Sequence, residues 1–231
     1  KGVKLEDNKI IKCDKCIIAT GGRSYIKTGS TGDGYTLAKR YGINIIDIKA
    51  GLVPLKSDND ICKKLQGLSL KNISYKLIDQ EKNNKVIFED FGEMMFAHFG
   101  ITGPVVLSSS TVLNRIEDLD DKLKNKSIIA SIDLKPSLSF EVLDKRVCRD
   151  FEKYTNKEFK NALNDLLPQK MIPVIVDLSN IKEDKKVNQI TKEERQNLVN
   201  LIKNLKIIIN GMLPIDYAII TCGGIDTKEI N

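Results

Sequence analysis

The spacing of apolar and polar positions changes character along the chain. Residues 1–50 carry short β-type runs: 3–5, a polar turn at 6–9, 10–13, and then Cys16-Ile17-Ile18-Ala19-Thr20, which ends abruptly in glycines. Past a loop at 21–31 the pattern predicts a short helix that starts near Asp33 and stops at Gly42, with Leu37, Ala38 and Tyr41 on its buried side. A strand resumes at 43–48. From Gly51 to about residue 132 the pattern becomes strand-rich, with runs at 52–55, 73–78, 86–88, 105–107 and 128–132 separated by glycines and polar turns.

Helical spacing takes over next. Phe140, Leu143, Val147 and Phe151 recur on one face behind a start at Pro136-Ser137. Two capping boxes predict further helices. Thr155 with Glu158 precedes Phe159, Leu163 and Leu166 before Pro168, and Thr191 with Glu194 precedes Leu198, Leu201, Ile202 and Leu205. Strand-like runs at 207–209 and 217–222 close the chain, and no internal repeat or low-complexity tract is seen.

Composition narrows this picture. A chain of 231 residues with 41% hydrophobic content buries a sizeable core, and at roughly 150 residues per domain it is read as two unequal domains. Charged residues of both signs make up 29% of the chain, and no apolar run approaches the ~18 residues of a membrane helix, so a soluble protein with no membrane partner is expected. The net charge of +6 is spread along the chain. Its densest clusters, 182–186 and 192–195, have acidic neighbours and no interleaved aromatics, which favours solvated faces over nucleic-acid binding. Five cysteines without a framework of spacings, and no signal-peptide pattern, predict a reducing cytoplasm. Cys13-Asp14-Lys15-Cys16 lacks a second pair, so no metal site is expected. The start at Lys1 without methionine, and the end just after a strand-like run, lead to the expectation of an internal piece of a longer protein.

The strongest chemical signal is Ala19-Thr20-Gly21-Gly22-Arg23-Ser24, followed by Gly29-Ser30-Thr31-Gly32-Asp33-Gly34 at the mouth of the first helix. Glycines let backbone approach a ligand, and a helix N-terminus offers free N–H groups to a phosphate. Ser30, Thr31 and Asp33 either bond ligand hydroxyls or cap the helix. One such cluster is most often a simple turn; two within fifteen residues point to a ligand. The dinucleotide fingerprint Gly-x-Gly-x-x-Gly is absent.

The run ATGGRSYIKTGSTGDGY from Ala19 resembles the BaiN-type NAD(P)/FAD-dependent oxidoreductases, the aminoacetone-oxidase-like FAD-binding family. GLVPL from Gly51, GEMMFAHFGITGP from Gly92 and AIITCGGI from Ala218 agree with it, in order, across almost the whole chain. Ile26 departs from the proline that similar proteins tend to carry. The resemblance implies an α/β plus α+β fold. Residues 1–50 and 217–231 would form part of a Rossmann-like FAD-binding domain, and 51–216 an insert of strand-rich barrel and helices that governs substrate access. It also implies that Thr20, Gly21, Gly22, Gly32, Asp33 and Gly34 line FAD, with NAD(P)H as co-substrate and a small organic molecule as substrate.

His98, the only histidine, lies between Phe96 and Phe99-Gly100. A lone histidine among aromatics is commonly structural, yet histidine is the residue type best suited to acid–base work, which makes it the acid or base candidate. Thr102 and Glu93 in the same stretch orient a substrate or are a turn residue and a solvated charge. The expected activity is hydride transfer between NAD(P)H and an organic substrate through flavin. Two alternatives stand beside it: a folded insert fragment without cofactor, and a flavoprotein relative acting on tRNA.

Overall fold

The computed structural model describes residues 2–230. The chain opens with β1 (Gly2–Lys4), β2 (Ile10–Lys12), α1 (Asp33–Arg40) and β3 (Ile45–Gly51). It continues through β4 (Leu55–Lys56), α2 (Asp60–Lys64), β5 (Ser69–Asp79), β6 (Lys85–Ala97), β7 (Gly100–Thr102), α3 (Pro104–Leu113), α4 (Leu119–Lys124) and β8 (Ile128–Asp133). The helices α5 (Phe140–Lys153), α6 (Ile172–Ser179) and α7 (Lys192–Lys203) follow, and β9 (Leu205–Ile209), β10 (Gly211–Met212) and β11 (Ile220–Ile225) end the series. Two compact units result, one made of 1–50 with 215–231 and the other of 51–214. The fold is mixed α/β, and among the described residues no helix is long and apolar enough to cross a membrane.

In the smaller unit β1 and β2 form an antiparallel hairpin and β3 pairs with β11. Asp226 N–H reinforces that pair by donating to Asn44 O at 3.0 Å. Cys13 is half-buried, Cys16 is exposed, and both thiols are free.

The larger unit is organised by a seven-stranded sheet in the order β10-β4-β7-β6-β5-β8-β9. β9 and β10 sit at opposite edges of this order yet are separated in sequence by Asn210 alone. The sheet therefore curls on itself into a barrel. Asn210 N–H donates to Lys56 O at 3.1 Å and Ser57 Oγ to Ile208 O at 2.6 Å across the closure. The closed strands need an apolar filling, supplied by the fully buried Tyr75, Leu77, Phe96, Ile101, Ile128, Ile132 and Ile207, and the same core continues into the helices. β8 is buried on both faces, from Ile128 through Ile132.

Helix starts follow their side chains. Ser139 caps α5 by accepting from Val142 N–H, and Thr191 and Glu194 form the reciprocal box at the head of α7. Three expectations fail for physical reasons. Residues 105–107 are helical, not extended: Val105 and Val106 are buried on all sides, a pattern that buried strands and buried helices share, and Pro104 after Gly103 favours a helix start. The Thr155–Glu158 capping box does not form. Phe159 N–H instead donates to Lys185 O and Val187 N–H to Lys157 O, which leaves a short 3-10 turn at Phe159–Asn161 while Phe159, Leu163 and Leu166 stay buried. Residues 16–20 are not in a strand among the described residues; Ile17 is 91% exposed.

Candidate functional site

The two glycine clusters fold onto one another through residues that a sequence pattern does not single out. Thr221, in β11, carries most of this. Its Oγ1 accepts the N–H of Arg23 at 2.7 Å and of Ser24 at 3.0 Å, and lies 3.0 Å from the Oγ of Ser24. Two acceptor positions filled by N–H groups leave the Thr221 proton for Ser24 Oγ, so one hydroxyl is fully engaged. Ser24 is buried and Thr221 is half-buried.

Each glycine then has a definite role. A Cβ on Gly22 would lie 2.5 Å from Thr221 Oγ1, one on Gly34 would fall on Thr20 Oγ1, and one on Gly224 would lie 2.9 Å from the Tyr35 ring. These three permit the loop, α1 and β11 to close on each other. Gly21 and Gly32 take left-handed backbone, at φ of 72° and 87°, which L side chains adopt at a cost. Gly21 faces Ser30 and Gly32 faces Tyr35. Gly29 alone in the loop has open space where a side chain would be.

The edge that this packing leaves for a ligand is the start of α1. Gly32 is its N-cap and supplies no side-chain cap, and Asp33 stands exposed in the first turn. In the first turn the Tyr35 N–H is taken by Gly32 O at 3.0 Å, which leaves the N–H groups of Asp33 and Gly34 at the positive end of the helix dipole. This donor set suits a phosphate, and the Asp33 carboxylate beside it suits a sugar hydroxyl. Thr20, Gly21, Gly22, Gly32, Asp33 and Gly34 are thus brought together in one unit.

His98 lies in the other unit. Ala97 pairs with Gly100, so His98 and Phe99 form the turn of the β6–β7 hairpin, with the imidazole exposed and meeting the Phe99 ring edge-on at 5.1 Å. Gly100 cannot carry a side chain, because its Cβ would fall on Leu55 O. Thr102 is opposite Met95, and Glu93 is exposed. In the core of this unit the buried Tyr75 hydroxyl meets Ser109 Oγ at 3.3 Å, and burial pushes its pKa well above the usual phenol value. Further round the barrel, Lys122 meets Asp79 at 3.1 Å and Glu81 at 2.9 Å. Its hydrogen bond to Glu81, aided by Asp79, holds the ammonium pKa above its ordinary value.

The family model described as "HI0933-like protein barrel and H2TH domain" matches residues 49–220. The chain is 27% identical over 221 residues to a ribosomal RNA dihydrouridine synthase of Escherichia coli, covering 96% of this chain and 50% of the relative. It is 29% identical over 222 residues to the protein of the same name from Haemophilus influenzae, covering 95% and 50%. A 3-dehydro-bile acid delta(4,6)-reductase of Clostridium scindens is 24% identical over 225 residues, covering 97% and 53%. The chain thus spans about half the length of the curated relatives it matches.

Proposed function

Because this chain belongs to the HI0933-like protein barrel and H2TH domain family, we propose that it is part of an FAD-dependent oxidoreductase that saturates a ring carbon–carbon double bond in RNA. The observation that carries this reading is a shared chemistry. Two relatives are named for making dihydrouridine in ribosomal RNA and a third for reducing the delta(4,6) positions of a bile acid. In each case a double bond conjugated to a carbonyl is the natural hydride acceptor. The chemistry a bound flavin supplies is hydride relay from NAD(P)H to such a ring.

The chain's own residues take the following parts. The N–H groups of Asp33 and Gly34 at the start of α1 would hold a phosphate of the cofactor, and the Asp33 carboxylate would accept from one of its hydroxyls. Thr20, Gly21, Gly22, Gly32 and Gly34 keep the backbone close enough for that contact, under the clasp of Thr221. His98, exposed on its hairpin, supplies the proton that accompanies hydride addition. The cytoplasm, where RNA and NAD(P)H are both present, is the compartment this reading requires.

A second reading, a small-molecule reductase, is favoured by the bile-acid relative. One experiment separates the two. The product of the complete reading frame is purified and assayed for bound flavin, then for NAD(P)H consumption with a ribosomal RNA transcript and with a steroidal enone. Flavin absorption with a gain of two hydrogens on a uridine supports the RNA reading, and turnover of the enone alone supports the other. Substituting His98→Gln should lower turnover and leave flavin occupancy unchanged. A protein that carries no flavin and consumes no NAD(P)H would overturn both.

A further inference from the structure

The helical part of the larger unit has a groove of about 420 Å³ lined by Leu138, Val142, Lys145, Arg146 and Arg149. Positions 142, 145, 146 and 149 follow the i, i+3, i+4, i+7 spacing of one helix face, so this wall is a continuous stripe of α5. The opposite face of α5 is buried through Leu143, Val147 and Phe151. The loop that carries Leu138 is held from behind, since Lys203 Nζ donates to Lys135 O at 3.2 Å and to Leu138 O at 2.6 Å. The groove is therefore a fixed feature of two pinned elements.

Its charge is unbalanced. No carboxylate is among its lining residues. Four acidic residues nearby are already committed: Asp150 to Arg146 at 2.8 Å, Asp144 to Arg195 at 2.7 Å, Asp133 to Lys203 and Asp165 to Lys153 at 2.8 Å; exposed Glu152, one turn beyond Arg149 on α5, lies outside the lining. Glu141 acts on Lys145 from the exposed start of the helix. Lys135 and Arg149 form no ion pair among the described residues. The ammonium of Lys135 is held below its ordinary pKa, by burial first and by the Arg146 guanidinium second. A cation whose charge is opposed by its neighbours marks a place where a bound anion is favoured.

We infer that this groove binds the phosphodiester backbone of RNA, with Lys145 and Arg149 meeting phosphates, Lys135 adding positive charge from beside Arg146, and Leu138 and Val142 lying against a sugar or base face. The inference rests on the RNA reading proposed above and assigns it a second contact surface, in the larger unit. Arginine and lysine flanking an apolar floor match a chain that alternates charged phosphate with flat apolar surface. A protein partner would need acidic side chains at the same spacing, and the test below distinguishes it.

The test uses the product of the complete reading frame and a triple variant, Lys135→Gln, Lys145→Gln and Arg149→Gln. A control triple, Lys71→Gln, Lys124→Gln and Lys192→Gln, removes the same charge from exposed positions elsewhere in the larger unit. Affinity for a ribosomal RNA fragment is measured across salt concentration. Each phosphate contact contributes ~0.7–0.9 to the slope of log affinity against log salt. The groove variant should therefore lose about 1.5 in slope and at least tenfold in affinity at moderate salt, while the control changes little.

NAD(P)H oxidation by dissolved oxygen, which needs no RNA, should be equal in all three proteins and reports that flavin and fold are intact. Equal losses in both triples, or none in either, would overturn the groove while leaving the RNA reading standing. An unmodified protein that fails to bind RNA but reduces an enone would overturn the RNA reading itself. If an acidic peptide competes for the groove and RNA does not, the occupant is a protein and the inference fails.

Discussion

Thr221→Val is the sharpest perturbation of the glycine clasp. Valine matches threonine in shape, so the substitution removes a hydroxyl without opening a cavity and leaves three groups without their partner: Arg23 N–H, Ser24 N–H and Ser24 Oγ. These do not weigh equally. Arg23 is exposed, and water replaces its acceptor at little cost. Ser24 is only 7% exposed, so its two polar groups bear most of the loss, at ~1–3 kcal/mol for each buried group left unsatisfied. Partial relaxation brings the expected total to about 2 kcal/mol, or ~30-fold in the local opening equilibrium. Amide hydrogen exchange at Ser24 reads this directly, and Thr221→Ser, which keeps the hydroxyl, should stay near the unmodified rate. If the Ser variant exchanges faster than the Val variant, Thr221 acts through its methyl group and the clasp argument is wrong.

In the barrel, Gly100→Ala should cost ~3 kcal/mol or more, because the new methyl meets Leu55 O and lies 2.8 Å from Ser57 N. Gly67→Ala, where φ is +82° and nothing lies within 4 Å, should cost only ~1 kcal/mol of backbone strain; equal urea midpoints for the two variants would refute the steric account. At the head of α7, the Glu194 carboxyl is held below the ordinary glutamate pKa, first by Lys185 and then by the Thr191 N–H. A depressed folded pKa means that this stabilisation is present above ~pH 4.3, the unfolded value, and is lost as pH falls through the folded pKa. The gap in urea midpoint between the unmodified protein and Glu194→Gln should therefore narrow from pH 6.5 to pH 3.5, and a constant gap would show that the ion pair contributes nothing.

Elements whose cause is local were legible in the sequence. The Thr191–Glu194 box and the apolar stripe of α5 need only neighbouring residues, and both form where the spacing puts them. The Thr155–Glu158 box has the same letters and fails, because residues 183–187 bond the backbone of 157–160 from a distance that no window of sequence sees. α6 escaped for another reason. Ile-Pro-Val-Ile-Val carries β-branched residues that favour strands, and burial of Ile172, Val174, Ile175 and Val176 overrides that preference. At the candidate site the glycines were legible because backbone freedom is written in residue type. Thr221, 198 positions from Arg23, had no signal beyond its place beside Cys222-Gly223-Gly224. Nor does residue type reveal that Gly22, Gly34 and Gly224 serve internal closure, since that depends on which side chains arrive opposite them.

The barrel's single-residue passage from one sheet edge to the other sets where its ends lie. Leu213 N–H donates to Pro54 O at 3.0 Å, and β10 pairs with β4, so the chain leaves this unit beside the point where it entered. A closed body whose two ends are neighbours behaves as a bead on a doubled thread. It can lengthen, shrink or be exchanged between hosts at two adjacent peptide bonds, without changing the path of any strand on either side. New ends could equally be cut at the β5–β6 turn, where Asn83 and Asn84 adopt left-handed backbone, and the old ones joined by a short linker. A family built this way is free to diverge in the bead while the thread stays the same.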